Sequence, residues 1–320
     1  MLNHTYDAPV AALLSYGECK ADTAKDWPNY RQELELTAEH IPSLIQMTQD
    51  EQLWELFTDN FDHEDEFIDA GLDPEQALWA PIHAWRALGQ LQAVEAVKPL
   101  AQVLHQHPID WCWEELPQVL ALIGAEAIDP LDELLLAPMD YNCKITLAAG
   151  LGAIVQASPG LRDRGVEVLT WQLSHYKTHH RTLNGALISE LMDLEAVESV
   201  AVMAAAYQAK KVDEMFVGSW PRVQVDLGLK QESDFTPEEL SIHYTPEQEQ
   251  SLANVQAYLD RQKLSALELG LPMRRSAFEF EKPAEFKDFA AQVGPKKLAD
   301  KAGFGSGAKS GSKKSKKKKK

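Results

Sequence analysis

Three histidines, His175, His179 and His180, crowd one junction of the chain. On a continuous helix, His175 and His179 would share a face at i, i+4, the spacing of a metal-ligand pair. Thr178 is a residue type that starts helices, which breaks that geometry, and no carboxylate lies within the cluster. The expectation is a solvated loop and no metal. His63-Glu64 is a lone His-Glu dipeptide in the acid-rich stretch 59–69, which reads as a charged surface segment. Loose cation binding by Asp62, Glu64, Asp65 and Glu66 lacks the spaced glycine of a calcium loop.

A second group gathers aromatic and ionisable residues: Trp79, His83, Trp85, Arg86, Trp111, Trp113 and Glu114. Tryptophan anchors interfaces, and it also fills cores. Trp79 and Trp85 are six residues apart, so they do not share a helix face well. A groove carrying one or two exposed tryptophans beside His83, Arg86 and Glu114 is the ligand site this pattern predicts. A catalytic version would need His83, Asp110, Glu114 and Asp140 to converge. The chain has no Gly-x-Ser-x-Gly, Walker loop or Gly-x-Gly-x-x-Gly. No catalytic residue and no cofactor are therefore expected.

Charge is divided unevenly. Residues 296–320 carry 11 lysines against Asp300, a net of +10, which leaves −28 on residues 1–295 of a chain whose total is −18. A body this acidic repels nucleic-acid backbones and favours basic partners. The lysines at the end, Lys313, Lys314, Lys316, Lys317, Lys318, Lys319 and Lys320, would attract RNA, a ribosome or another anionic surface through phosphate contacts. Alternatively, they solubilise the chain or fold back on it. No aromatics interleave them, so base stacking is not expected. The Gly/Ser/Lys composition of 303–320 predicts disorder.

Three scattered cysteines, Cys19, Cys112 and Cys143, form no Cys-x-x-Cys and fit a reducing cytoplasm. The N-terminus lacks the basic-then-apolar pattern of a signal peptide. No stretch nears the ~18 uninterrupted apolar residues of a membrane helix.

The elements that must position these residues follow a repeat. Ala96-Val97-Lys98-Pro99-Leu100 returns as Ala127-Ile128-Asp129-Pro130-Leu131 and Ala196-Val197-Glu198-Ser199-Val200, with a weaker Gly165-Val166-Glu167-Val168-Leu169 between. The steps are 31, 38 and 31 residues, the period of stacked helical hairpins. Helical pairs are predicted at 75–88 with 93–105, 114–122 with 126–136, 141–156 with 160–175, and 179–192 with 195–210. Gly89, Gly124 and Asp193 mark three of the breaks, and Asp73 is the N-cap of the first pair. The prediction is all-α: a HEAT-like α-solenoid. It divides into an irregular and helical N-terminal cap (1–73), the repeats (74–217), a C-terminal cap and helical extension (218–295), and the Lys-rich tail (296–320). Ser219-Trp220-Pro221 loosely echoes Asp26-Trp27-Pro28, as two end covers of one array would.

Three phrases carry a likeness: Trp79-Ala80-Pro81-Ile82-His83-Ala84-Trp85-Arg86-Ala87-Leu88-Gly89, Glu115-Leu116-Pro117 and Leu183-Asn184-Gly185-Ala186-Leu187-Ile188-Ser189. They resemble an uncharacterised bacterial family of HEAT-like repeat proteins, related in pattern to phycobilin-lyase-type HEAT repeats. The resemblance spans roughly residues 8–230 and implies a solenoid in the cytoplasm, with no activity attached. Some members end in a cysteine-rich zinc-binding tail. Here Gly305-Ser306-Gly307-Ala308-Lys309 has no Cys or His nearby, so zinc does not carry over. The functional expectation is a non-enzymatic scaffold whose concave acidic face holds a protein or peptide partner. The alternatives are an RNA- or ribosome-associated factor acting through the tail, or a lyase-like enzyme built on the repeats.

Overall fold

Short polar side chains open several helices by catching a free backbone N–H. Asp73 accepts from Glu75 N at 3.0 Å ahead of Pro74–Ala77, as its sequence position predicts. Asp140 accepts from Asn142 N at 2.8 Å, and the His180 ring accepts from Thr182 N at 3.3 Å. The computed structural model describes residues 4–20, 23–57 and 64–268, with side chains as far as Arg261. Among these, every regular element is helical, and no helix is long and apolar enough to cross a membrane.

The main helices are α1 (Ile41–Thr48), α2 (Ala80–Gln90), α3 (Val97–Gln106), α4 (Asp110–Ile123), α5 (Ile128–Leu136) and α6 (Tyr141–Ala157). They continue as α7 (Arg162–Ser174), α8 (Arg181–Asp193), α9 (Val200–Gln208), α10 (Trp220–Asp226) and α11 (Pro246–Glu268). Two compact units divide the chain, Met1–Gln248 and Glu249–Lys320. The second is described only through its part of α11, where Tyr258 is exposed.

Within the first unit the helices pack in two series. In one, α1, α2, α4, α6 and α8 each contact the next. In the other, α3, α5, α7 and α9 do the same. Small residues let the first series approach closely. A Cβ added at Gly89 of α2 would stand 3.3 Å from the Val119 backbone of α4. Polar bridges tie the second series. Lys98 pairs with Glu133 and Arg164 with Asp129, while Gln172 Nε2 donates to the Asp132 carbonyl at 2.9 Å.

The structure moves two predicted breaks. Gly89 lies inside α2, and the chain turns at Gln92, with φ +56°. There Ala93 N donates to Leu88 O and Gln92 N to Gly89 O, the paired closure of a Schellman turn. Likewise Asp193 is the last residue of α8, and the turn is at Glu195, with φ +50°. Gly124 does take a left-handed φ of +89°. Glycine at 89 therefore serves close helix packing, and the hydrogen-bonded closure holds Gln92 in a conformation glycine would adopt more readily.

The predicted register also shifts. Each second helix follows a 3-10 turn: Val94–Ala96, Ala125–Ala127, Pro159–Leu161 and Val197–Ser199. The second helices start at 97, 128, 162 and 200, steps of 31, 34 and 38 residues. Gly165 lies one turn inside α7 and Ala196 lies before its 3-10 turn, so the short motif does not mark one structural position. Its small residues mark burial instead: Gly165 faces Val155 of α6, and a Cβ there would overlap the valine side chain.

Candidate functional site

Five of the seven side chains in the predicted groove do come together. They meet around the chain's own N-terminal segment. His83, Trp85 and Arg86 are buried in the interior. Trp79 and Trp111 are half-buried and meet edge to face at 5.4 Å. Trp113 and Glu114 are exposed. Arg86 pairs with Glu115, one residue beyond the carboxylate expected from sequence. Glu115 also accepts from Arg86 Nε and Trp85 Nε1, each at 2.9 Å.

The N-terminal segment completes this cluster. Arg86 Nη2 donates to the Lys20 carbonyl at 2.8 Å, and its guanidinium lies 4.8 Å from the Trp27 ring centroid. Gln90 of α2 holds the segment at both polar ends of its side chain, accepting from Tyr30 N at 2.9 Å and donating to Pro28 O at 2.7 Å. His83 Nε2 donates to the Gly17 carbonyl at 2.9 Å, which leaves Nδ1 to accept from the Tyr30 hydroxyl at 2.7 Å. Cys19 Sγ lies 3.4 Å from Nε2.

Electrostatics favour a neutral, closed cluster around the ion pair. Burial pulls the His83 pKa down to about 4, and the Arg86 charge adds to this. Burial also pushes the Cys19 thiol up to about 12. A thiol held protonated is a poor nucleophile. Asp110, Glu114 and Asp140 are exposed, and the hydrogen bonds of His83 go to Tyr30 and Gly17. This arrangement seals the N-terminal segment onto α2 and α4. Sequence periodicity had no means of finding Cys19, Trp27 or Tyr30, because they lie on a segment with only short helical turns whose partners are 53 to 66 residues away.

The histidine junction is a turn between helices. α7 stops at Ser174 and α8 starts at Arg181, with the His175 and His179 ring centroids 6.1 Å apart. The His180 ring stacks on Tyr141 at 3.8 Å. Burial, with Lys144 and His175 nearby, lowers the His179 pKa to about 4. Among the described residues, no group of three His, Cys, Asp or Glu side chains could hold a metal ion. Asp62, His63 and the tail lysines Lys313–Lys320 lie outside the described residues. Glu64, Asp65 and Glu66 open the helix Glu64–Asp69.

Two hollows remain. One, of about 240 Å³, is bordered by Tyr6, Leu14, Asp50, Leu53 and Phe67, with the Tyr6 hydroxyl donating to Asp50 Oδ2 at 2.6 Å. The other, of about 510 Å³, is an open groove between α7 and the turn before α9. It is lined by Trp171, which is 53% exposed. The sequence carried a signal for this tryptophan. Arg164, Glu167, Trp171 and Ser174 recur at i, i+3, i+7 and i+10, so Trp171 is an aromatic residue on a polar helix face. Comparisons with protein-family models, curated proteins and solved structures found no match for this chain.

Proposed function

We propose that this chain is a non-enzymatic binding scaffold, built as a HEAT-like α-solenoid and working in the cytoplasm. Its second helix series would form the concave acidic face that receives a basic protein or peptide. The observation that carries this reading is the open Trp171 groove on that series. The alternative surface, around His83 and Arg86, is filled by the chain's own N-terminal segment. The two helix series and the recurring 3-10 turn before each second helix support a repeat architecture. Acidic residues in those turns, Glu95, Glu126 and Glu198, suit helix N-termini and also charge the face.

The test is affinity capture from the native cell at low and moderate salt, comparing the full chain with residues 1–302. Specific protein partners recovered by both, and crosslinked to α3, α5, α7 or α9, are the expected result. Partners recovered only by the full chain, bound to RNA and lost with salt, would refute the scaffold reading and place the function in the tail.

A further inference from the structure

We infer that the groove between α7 and the turn before α9 is a docking site for a basic peptide segment, one of whose Arg or Lys side chains lies on the Trp171 ring. This rests on the scaffold reading and names its contact point.

The groove has the parts such a ligand needs. Most of the surface inside it is apolar, and the half-exposed Trp171 ring lines it. His175 and Trp171 meet at near right angles, with centroids 4.6 Å apart, which braces the indole. The Thr170 and Ser199 hydroxyls bond each other at 2.6 Å across the groove. A cation reaching the half-exposed ring would be drawn by its quadrupole.

Charge selects the sign of the occupant. Asp163, Glu167 and Glu198 border the groove. Arg162 pairs with Glu198 at 2.8 Å and approaches Asp163 at 3.7 Å. Arg164 pairs with Glu167 at 2.8 Å and Asp129 at 2.9 Å. Four carboxylates thus share two guanidiniums, a local excess of two negative charges. An incoming cation finds charge left to neutralise, whereas an anion would have to displace an existing pair. The surrounding body is acidic as well, which would speed the approach of a basic partner.

The test uses the full chain and two fluorescein-labelled peptides of equal length, one alternating Arg with Gly and the other alternating Glu with Gly. Anisotropy at physiological ionic strength gives the affinities, and hydrogen exchange locates the site. The Arg peptide is expected to bind and to protect α7 and residues 197–199. Trp171→Ala should weaken it about fivefold to tenfold, the size of a partly desolvated cation–π contact. Ile68→Ala, at another exposed apolar position, should leave it unchanged. Circular dichroism checks that Trp171→Ala remains folded, and Trp171→Phe should recover part of the affinity.

Equal binding by the wild type and Trp171→Ala, with protection elsewhere on the second series, would overturn the groove assignment while leaving the scaffold reading standing. Binding without protection anywhere on that series would overturn both. A dimer abolished by Trp171→Ala would give the groove to a second copy and overturn the proposal. So would groove protection present without peptide and lost when Lys313–Lys320 are changed to serine, which would give it to the chain's own tail.

Discussion

Raising the pH from 6.5 to 7.5 is expected to weaken the fold by about 1 kcal/mol through one carboxyl group, Glu190 of α8. Its side chain is buried against Gly152 of α6, so closely that a Cβ at 152 would overlap Oε2. Oε2 has no hydrogen-bond partner. Burial, with Asp193 adding to it, raises the pKa from 4.5 to about 8. Between those two values the folded chain holds a proton that the unfolded chain has released. Unfolding free energy therefore falls as pH rises, by at most ~1.4 kcal/mol per pH unit for one proton and by less as the pH nears the folded pKa. His83 and His179 act with the opposite sign. Their folded pKa values near 4, below the ordinary 6.5, make stability rise with pH across that lower range. Above pH 6.5 their slope fades, so that between pH 6.5 and 7.5 the two together offset roughly half of the Glu190 fall. The assay is urea unfolding of the wild type and Glu190→Gln at closely spaced pH values from 6.5 to 7.5. Glutamine keeps the shape and cannot ionise, so the variant should lose the fall. Parallel profiles for the two proteins across that range would refute the reasoning.

Three further outcomes follow from the packing. Gly152→Ala should destabilise the fold by about 1–3 kcal/mol through overpacking, and Glu190→Ala in the same chain should recover part of that loss, as a double-mutant cycle in urea would read. Glu115→Ala leaves the buried Arg86 charge uncompensated and should cost about 3–5 kcal/mol in urea unfolding; changing the pair to Arg86→Met with Glu115→Leu should restore most of it. Tyr30→Phe removes the hydroxyl that His83 Nδ1 accepts from, at a cost of about 1–3 kcal/mol. It should also speed limited proteolysis between residues 16 and 31, while cleavage within α6 stays unchanged.

The all-helical content was legible in the residues alone, because helix periodicity is a local property. The apolar spacing and small-residue motifs placed all eight helices from α2 to α9, and the cap at Asp73 bonds as its residue type favours, while the cap at Asp140 came to light only in the structure. Boundaries were less legible. A break set by a Schellman closure at Gln92 or Glu195 leaves no glycine behind, and the glycine at 89 answers to a neighbouring helix. The repeat motif slipped for the same reason, since its small residues report burial and do not report where a helix begins.

Composition and period determined an acidic, all-helical body with a basic end. Only the tertiary structure decided what each polar side chain does. His83 and Arg86 sit in a stretch that suits a ligand groove, yet contacts from Gly17, Lys20, Trp27 and Tyr30 turn that stretch into a sealed interior. Trp171, on a helix face of charged and polar neighbours, is left half-exposed beside the turn that precedes α9. Spacing along one helix names the face a residue occupies. Whether that face meets solvent, a neighbouring helix or a distant segment depends on chain tens of residues away, and no local pattern encodes that.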